Sequence, residues 1–220
     1  MAISLPLFPL QTVLFPGGVL PLRIFEVRYL DLIGRCHKEG APFGVVSLTQ
    51  GQEVHQRGTN AADGAAFETE SFQTVGTLAH IVALERPQPG LMVIRCRGGR
   101  RFRLSGSEQL KHGLWVGQAE WLPDDPPVPL PPDLMPVRRG LERLLTQMQA
   151  QMAGAAENLP IQAPYHWDDC GWLAHRWCEL LPLSAQLKQQ FLALDNPLLR
   201  LELVADLLER FEIGVPPAAS

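Results

Sequence analysis

From Ile3 to Leu22 short apolar runs alternate with proline, as in LPLFPL and VLFPGGVLPL, a rhythm suited to short strands and tight turns. Phe25, Tyr29, Leu32, Ile33 and Cys36 then recur at helical spacing, Gly40 stops the run, and FGVVSL, Phe43 to Leu48, resumes as a strand. One amphipathic helix is therefore expected to cross the first sheet. Residues 51–64 are polar and Gly-rich, which reads as a loop. VGTLAHIVAL, Val75 to Leu84, is long and apolar enough for a strand buried on both faces.

The segment LMVIRCRGGRRFRLSG, Leu91 to Gly106, reads as a hairpin turning at its Gly-Gly pair. A two-residue loop would mix charge with core on each face. A three-residue loop, Gly98 to Arg100, pairs Ile94 with Leu104 and Cys96 with Phe102 on one face, and Arg95 with Arg103 and Arg97 with Arg101 on the other. The second register is the one expected. A further strand follows around Leu114 to Leu122.

DDPPVPLPP, Asp124 to Pro132, carries five prolines and is expected to form an extended, semi-rigid spacer between residues 1–123, a β-rich subdomain, and residues 133–220, a helical one. Asp133 is the expected N-cap of a helix carrying Leu141, Leu144, Leu145, Met148 and Met152. Asp168 or Asp169 would cap a second helix with Leu173, Ala174, Trp177 and Leu181, and Ser184 a third. Asn196-Pro197 opens a fourth, which ends before Gly214 and Pro216. Strands first and helices last make an α+β chain without the alternation of a Rossmann fold.

Composition narrows this picture. At 220 residues, 46% hydrophobic and 19% charged, the chain is long and apolar enough to build a core without disulfides or a metal. The net charge of −4 disfavours a nucleic-acid or anionic-membrane coat, although sixteen of nineteen cations are Arg. Four cysteines, Cys36, Cys96, Cys170 and Cys178, form no CxxC pair, and the uncharged first 22 residues are too broken by proline for a signal or membrane segment. A soluble cytoplasmic protein with free thiols and no membrane partner is the expectation.

LPLFPLQTVLFPGGVLPLRIFEVRYLDLI, Leu5 to Ile33, resembles the opening of the Lon N-terminal, substrate-binding domain family, which stands ahead of the ATPase in Lon proteases and also occurs alone as small bacterial proteins. FGVV at Phe43 to Val46, VGTLAHI at Val75 to Ile81, GGRRFRL at Gly98 to Leu104 and LLPLSAQLKQQFLALDNPLLRLELVADLL at Leu180 to Leu208 extend the likeness over nearly the whole chain. Val27 departs from it, standing where the family often carries Pro or a polar residue. The resemblance implies a PUA-like β pseudo-barrel followed by a small helical bundle, and a non-catalytic module that binds unfolded or tagged polypeptide or a partner protein. None of the three lysines, Lys38, Lys111 and Lys188, follows a Gly, so no P-loop is read, and no Lon-type peptidase module is expected within the chain.

Other chemistry is weighed against plain structural roles. Ser184 and Lys188 lie one helical turn apart, as a Ser-Lys pair would, but Ser184 as an N-cap is the preferred reading. His166, Cys170, His175 and Cys178 suggest zinc, yet Cys170 and His175 would point about 140° apart on one helix, so no metal or other cofactor is assigned. Phe15, Arg23, Glu26, Arg28 and Tyr29 are the candidate peptide-binding residues, with an internal Glu26–Arg pair as the competing role. Arg95, Arg97, Arg101 and Arg103 would juxtapose like charges in the expected register and so call for an anion: a carboxylate from Glu68, Glu70, Glu108 or Glu120, an acidic peptide, or a phosphate. RNA binding through this arginine face is the alternative function.

Overall fold

Burial along the first apolar block explains its strand. In β1 (Ile3–Leu10) Leu5 and Leu7 enter one apolar cluster, with Val46, Leu78, Phe102, Leu104 and Ala119, while Phe8 and Leu10 enter another. Both faces of the strand are thus covered, as its near-continuous hydrophobicity requires. The computed structural model describes residues 3–50, 70–151 and 159–211. The loop read at 51–64, Glu68, Met152, Gly214 and Pro216 lie outside the described residues.

β2 (Val19–Ile24), α1 (Val27–Glu39), β3 (Phe43–Gln50), β4 (Ser71–Phe72), β5 (Val75–Gln88), β6 (Leu91–Gln109) and β7 (Trp115–Trp121) complete the β-rich part. The sheet runs β1-β7-β6-β5-β3-β4, and a parallel β1–β3 pairing, Leu7 opposite Gly44 to Leu10 opposite Ser47, closes it on itself. It is not a regular barrel, because β4 hangs on β3 and, among the described residues, β2 pairs only β6, off the main path. The cluster holding Leu5, Leu7 and Phe102 is built from strand residues alone among its buried members. The other joins the sheet to the buried face of α1, Tyr29, Leu32, Ile33 and Cys36, the stripe read from the helical spacing. Phe25 stands before the helix and is exposed. Gly40 at φ +64° ends α1, its N–H donating to the Cys36 carbonyl.

Two expectations about strands need correction. β5 is buried throughout only from Val75 to Ala79; beyond it the side chains alternate towards solvent. The hairpin does not form: β6 runs unbroken through Gly98 and Gly99, both without positive φ. The chain turns instead before β6, at Gly90 with φ +77°, and after it, at Gly113 with φ +84°. What the Gly-Gly pair supplies is close approach. A Cβ on Gly98 would lie 2.1 Å from the Phe15 carbonyl oxygen, and one on Gly99 2.7 Å from His80 Nε2. Between Ala79 opposite Gly98 and Thr77 opposite Arg101, β6 spends one more residue than β5, a bulge within a continuous strand.

The chain divides into two compact units, Met1–Pro16 with Leu20–Pro123, and Gly17–Val19 with Asp124–Ser220. In the second, a 3₁₀ turn, Pro132–Leu134, leads into α2 (Met135–Gln151), followed by α3 (Cys170–Leu180), α4 (Ala185–Ala193) and α5 (Pro197–Arg210). Asp133 sits inside the turn rather than capping α2, because the prolines before it start the turn one residue earlier, with Pro131 at the cap position. The other caps are as read. Asp169 accepts from the Trp172 N–H at 2.7 Å, Ser184 from Leu187 at 3.2 Å and Asn196 from Leu199 at 3.1 Å.

The Pro-rich stretch 124–132 is extended and strapped to the start of α3. The Cys170 N–H donates to the Val128 carbonyl at 2.9 Å, the Leu130 N–H to Asp168 at 3.0 Å, and the Val128 N–H to Asp169 Oδ2 at 3.2 Å. Arg200 lies fully buried on α5. Its Nε donates to the Phe191 carbonyl at 3.1 Å, and its other nitrogens bond the Leu194 carbonyl and both oxygens of Asp125. This guanidinium closes the carbonyl end of α4 and pins Asp125.

Candidate functional site

The chain enters α1 through RIFEVRY, and two charges organise the entry. Arg28 Nε donates to Glu26 Oε2 at 3.1 Å, its second nitrogen to the Gly113 carbonyl at 2.7 Å, and its third to Glu70 Oε1 at 3.5 Å. Glu70 in turn accepts from Trp115 Nε1, and the guanidinium stacks 4.5 Å from the Tyr29 ring centre. Arg28 and Glu70 are buried, so this is a desolvated, hydrogen-bonded network that holds the end of the helix. The competing internal role for Glu26 is the one observed.

Beside that network lies a groove of about 160 Å³ lined by Phe8 and Leu10 of β1, Pro21, Leu22, Arg23 and Ile24 of β2, then Phe25, Glu26 and Tyr29. Phe8 and Tyr29 stack with ring centres 3.9 Å apart, which gives the groove a rigid apolar lining. Phe25 on its wall is 52% exposed, and Val27, two residues on, is 72% exposed. Large hydrophobic side chains turned to water beside a lined groove are the chemistry of an apolar binding surface.

The structure thus gathers Arg23, Glu26 and Tyr29 at the groove. Phe15 lies fully buried, and Arg28 behind the groove is occupied by its own carboxylates and carbonyl. Phe25, which the helical spacing put on the buried stripe of α1, is an exposed groove residue, whereas Phe8 belongs to the core and also lines the groove. The signal for Phe25 was available in part: it stands one residue before the helix's N-cap, Glu26.

The arginine face takes another form. Arg95 lies opposite Ala83 and Arg97 opposite His80 in β5, whereas Arg101 lies opposite Thr77 and Arg103 opposite Val75 on one side and Glu120 on the other. No cross-strand Arg pair arises, because all four belong to one strand. Arg101 is buried and donates to the Pro123 carbonyl at 3.3 Å. The like-charge argument for an external anion has no basis in this register.

In the helical unit Ser184 Oγ accepts from a backbone N–H while Lys188 Nζ donates to the Glu179 carbonyl at 3.2 Å, so the two face different partners. Cys170 Sγ donates to the Pro129 carbonyl at 3.5 Å, and His175 Nε2 lies 3.8 Å from Asp125 Oδ2. Burial pushes the thiols of Cys96 and Cys178 up to about 12 and Cys170 up to about 11, and raises Cys36 as well, so the four are core thiols rather than thiolate nucleophiles. Burial also lifts the Glu179 carboxyl to about 7, against the pull of Arg176 and Lys188. A larger apolar cleft, about 340 Å³, runs between α4 and α5 past Leu187, Phe191, Leu194, Leu203 and Leu207; no sequence signal distinguished it from core packing.

The sequence profile described as the ATP-dependent protease La (LON) substrate-binding domain matches residues 4–210. The chain belongs to this family. It is similar to the crystal structure of a Lon N-terminal domain protein from Xanthomonas campestris, with 33% identity and a TM-score of 0.67 over 93% of this chain and 98% of that one. It shares the fold of the N-terminal domain of the Mycobacterium avium complex Lon protease, at 15% identity and a TM-score of 0.59, over 93% of this chain and 97% of that one. Among curated proteins it is 28% identical over 212 residues to a Lon protease of Anaeromyxobacter dehalogenans, covering 94% of this chain and 23% of the relative. It is 27% identical over 105 residues to a Lon protease of Flavobacterium johnsoniae, covering 47% of this chain and 12% of the relative. The chain therefore spans less than a quarter of the length of these curated relatives. Membership assigns a substrate-binding role, and no described helix is long and apolar enough to cross a membrane.

Proposed function

We propose that this chain is a non-catalytic binder of unfolded polypeptide, and that the groove beside β2 takes apolar segments of its clients. The observation that carries this reading is the exposed Phe25 on the wall of an apolar groove, with the exposed Val27 two residues on, in a chain of a substrate-binding family. A folded protein buries the apolar side chains such a groove takes, whereas an unfolded one presents them. RNA binding through the arginine face is the alternative; the net charge of −4 weighs against it, and the cross-strand arginine pairs that would call for an external anion do not form.

The test is a fluorescence-anisotropy titration of one labelled protein in unfolded and folded forms, and of a single-stranded RNA, at two salt concentrations. The unfolded form should bind in preference, with little change between salts. The double variant Phe25→Ala, Val27→Asp should weaken binding by about 2 kcal/mol, roughly thirty-fold, from the exposed fractions of two side chains that complete their burial in the complex. Equal binding of folded and unfolded forms, or binding only of RNA with steep salt dependence, refutes the proposal.

A further inference from the structure

Among the described residues no strand flanks β2 on the side away from β6. β7 pairs with β1 from Ile3 to Leu7 and with β6 from Phe102 to Gln109, so it accompanies neither strand along its other part. β2 takes a place beside β6, and among the described residues it pairs with no other strand. One edge of β2 is therefore without a strand partner. Four consecutive β2 residues, Pro21 to Ile24, line the groove. Successive side chains of a strand point to opposite faces, so a cavity that meets both sets follows the strand's edge rather than one face.

We propose that a client segment adds to this edge of β2 as a further, extended strand, its main chain bonded to β2 and its alternate apolar side chains seated against Phe8, Leu10 and Tyr29. The proposal rests on the polypeptide-binding reading above and states how the client is held. An open strand edge offers a row of backbone donors and acceptors that another extended backbone answers in full. The groove, about 160 Å³, admits apolar side chains rather than a folded surface. Arg23 and Glu26 on its rim carry opposite charges, which favours no client by net charge.

Pro21 sharpens the geometry. A proline inside a paired strand keeps its nitrogen on the unpaired side, which places Pro21 and, two residues on, the backbone groups of Arg23 along the open edge. By strand alternation the proposed edge offers the carbonyls of Val19, Pro21 and Arg23 against the N–H groups of Val19 and Arg23, so it accepts more hydrogen bonds than it gives. The missing N–H removes one donor from the ladder that any strand added there, a client or a second copy of β2, can form.

The test uses the whole chain and a fluorescein-labelled synthetic nonapeptide in which Val and Leu alternate with Thr and Lys. Two further versions carry N-methyl groups on the odd or on the even residues. An added strand turns alternate N–H groups towards β2, so methylation of one set should weaken binding at least about ten-fold and of the other less than about two-fold. Equal effects of the two sets, or none, overturn strand addition while leaving polypeptide binding intact. If neither the parent peptide nor an unfolded protein binds, the reading on which the proposal rests fails with it.

Discussion

Asp125→Ala is the most informative test of the helical unit. Arg200 is fully buried, and its guanidinium is answered by two oxygens of Asp125 and by the carbonyls of Phe191 and Leu194. Removing the carboxylate leaves a buried cation with neutral acceptors only, an uncompensated charge that costs about 3–5 kcal/mol. At about 2–4 °C per kcal/mol for a chain of this length, the melting temperature should fall by roughly 6–20 °C. The double variant Asp125→Ala, Arg200→Leu removes the charge together with its partner. It forfeits the two carbonyl bonds at about 1 kcal/mol each, so it should be more stable than Asp125→Ala alone. Urea denaturation followed by circular dichroism measures the three midpoints at constant slope. A loss under about 1 kcal/mol in Asp125→Ala, or a double variant less stable than the single, would show that Arg200 is not held by this pair.

Gly98→Ala places a Cβ 2.1 Å from a backbone oxygen and should cost several kcal/mol or block folding, whereas Gly106→Ala, with nothing within 4 Å, should be near neutral; expression and thermal melts compare them. Ser184→Ala removes the cap of α4 and should cost about 1 kcal/mol in urea titrations. The carboxyl of Glu179 is raised from 4.5 to about 7, so its contribution favours the folded state most below pH 4.5 and is lost as pH rises through 7. Relative to Glu179→Gln, the natural chain should therefore lose stability between pH 4.5 and 8, and parallel pH profiles of the two would refute this.

The helical stripe of α1, the Ser184 and Asn196-Pro197 starts and the division into strands then helices were legible because each rests on local rules: periodicity of 3.6, an oxygen that caps a free N–H, a proline whose fixed φ suits the first helical position. The Gly98-Gly99 pair was not, since glycine serves both turning and close approach. Only the Phe15 carbonyl and the His80 ring, distant in sequence, decide for the second. That choice turned a hairpin into one strand and separated arginines that local pairing would have set face to face. Sequence placed Arg23, Glu26 and Tyr29 in one block. The closure of β1 against β3, the departure of β7 after Leu7 and the seat of β2 beside β6 made a groove of them and left Phe25 and Val27 in water, because exposure depends on which distant strands fail to arrive.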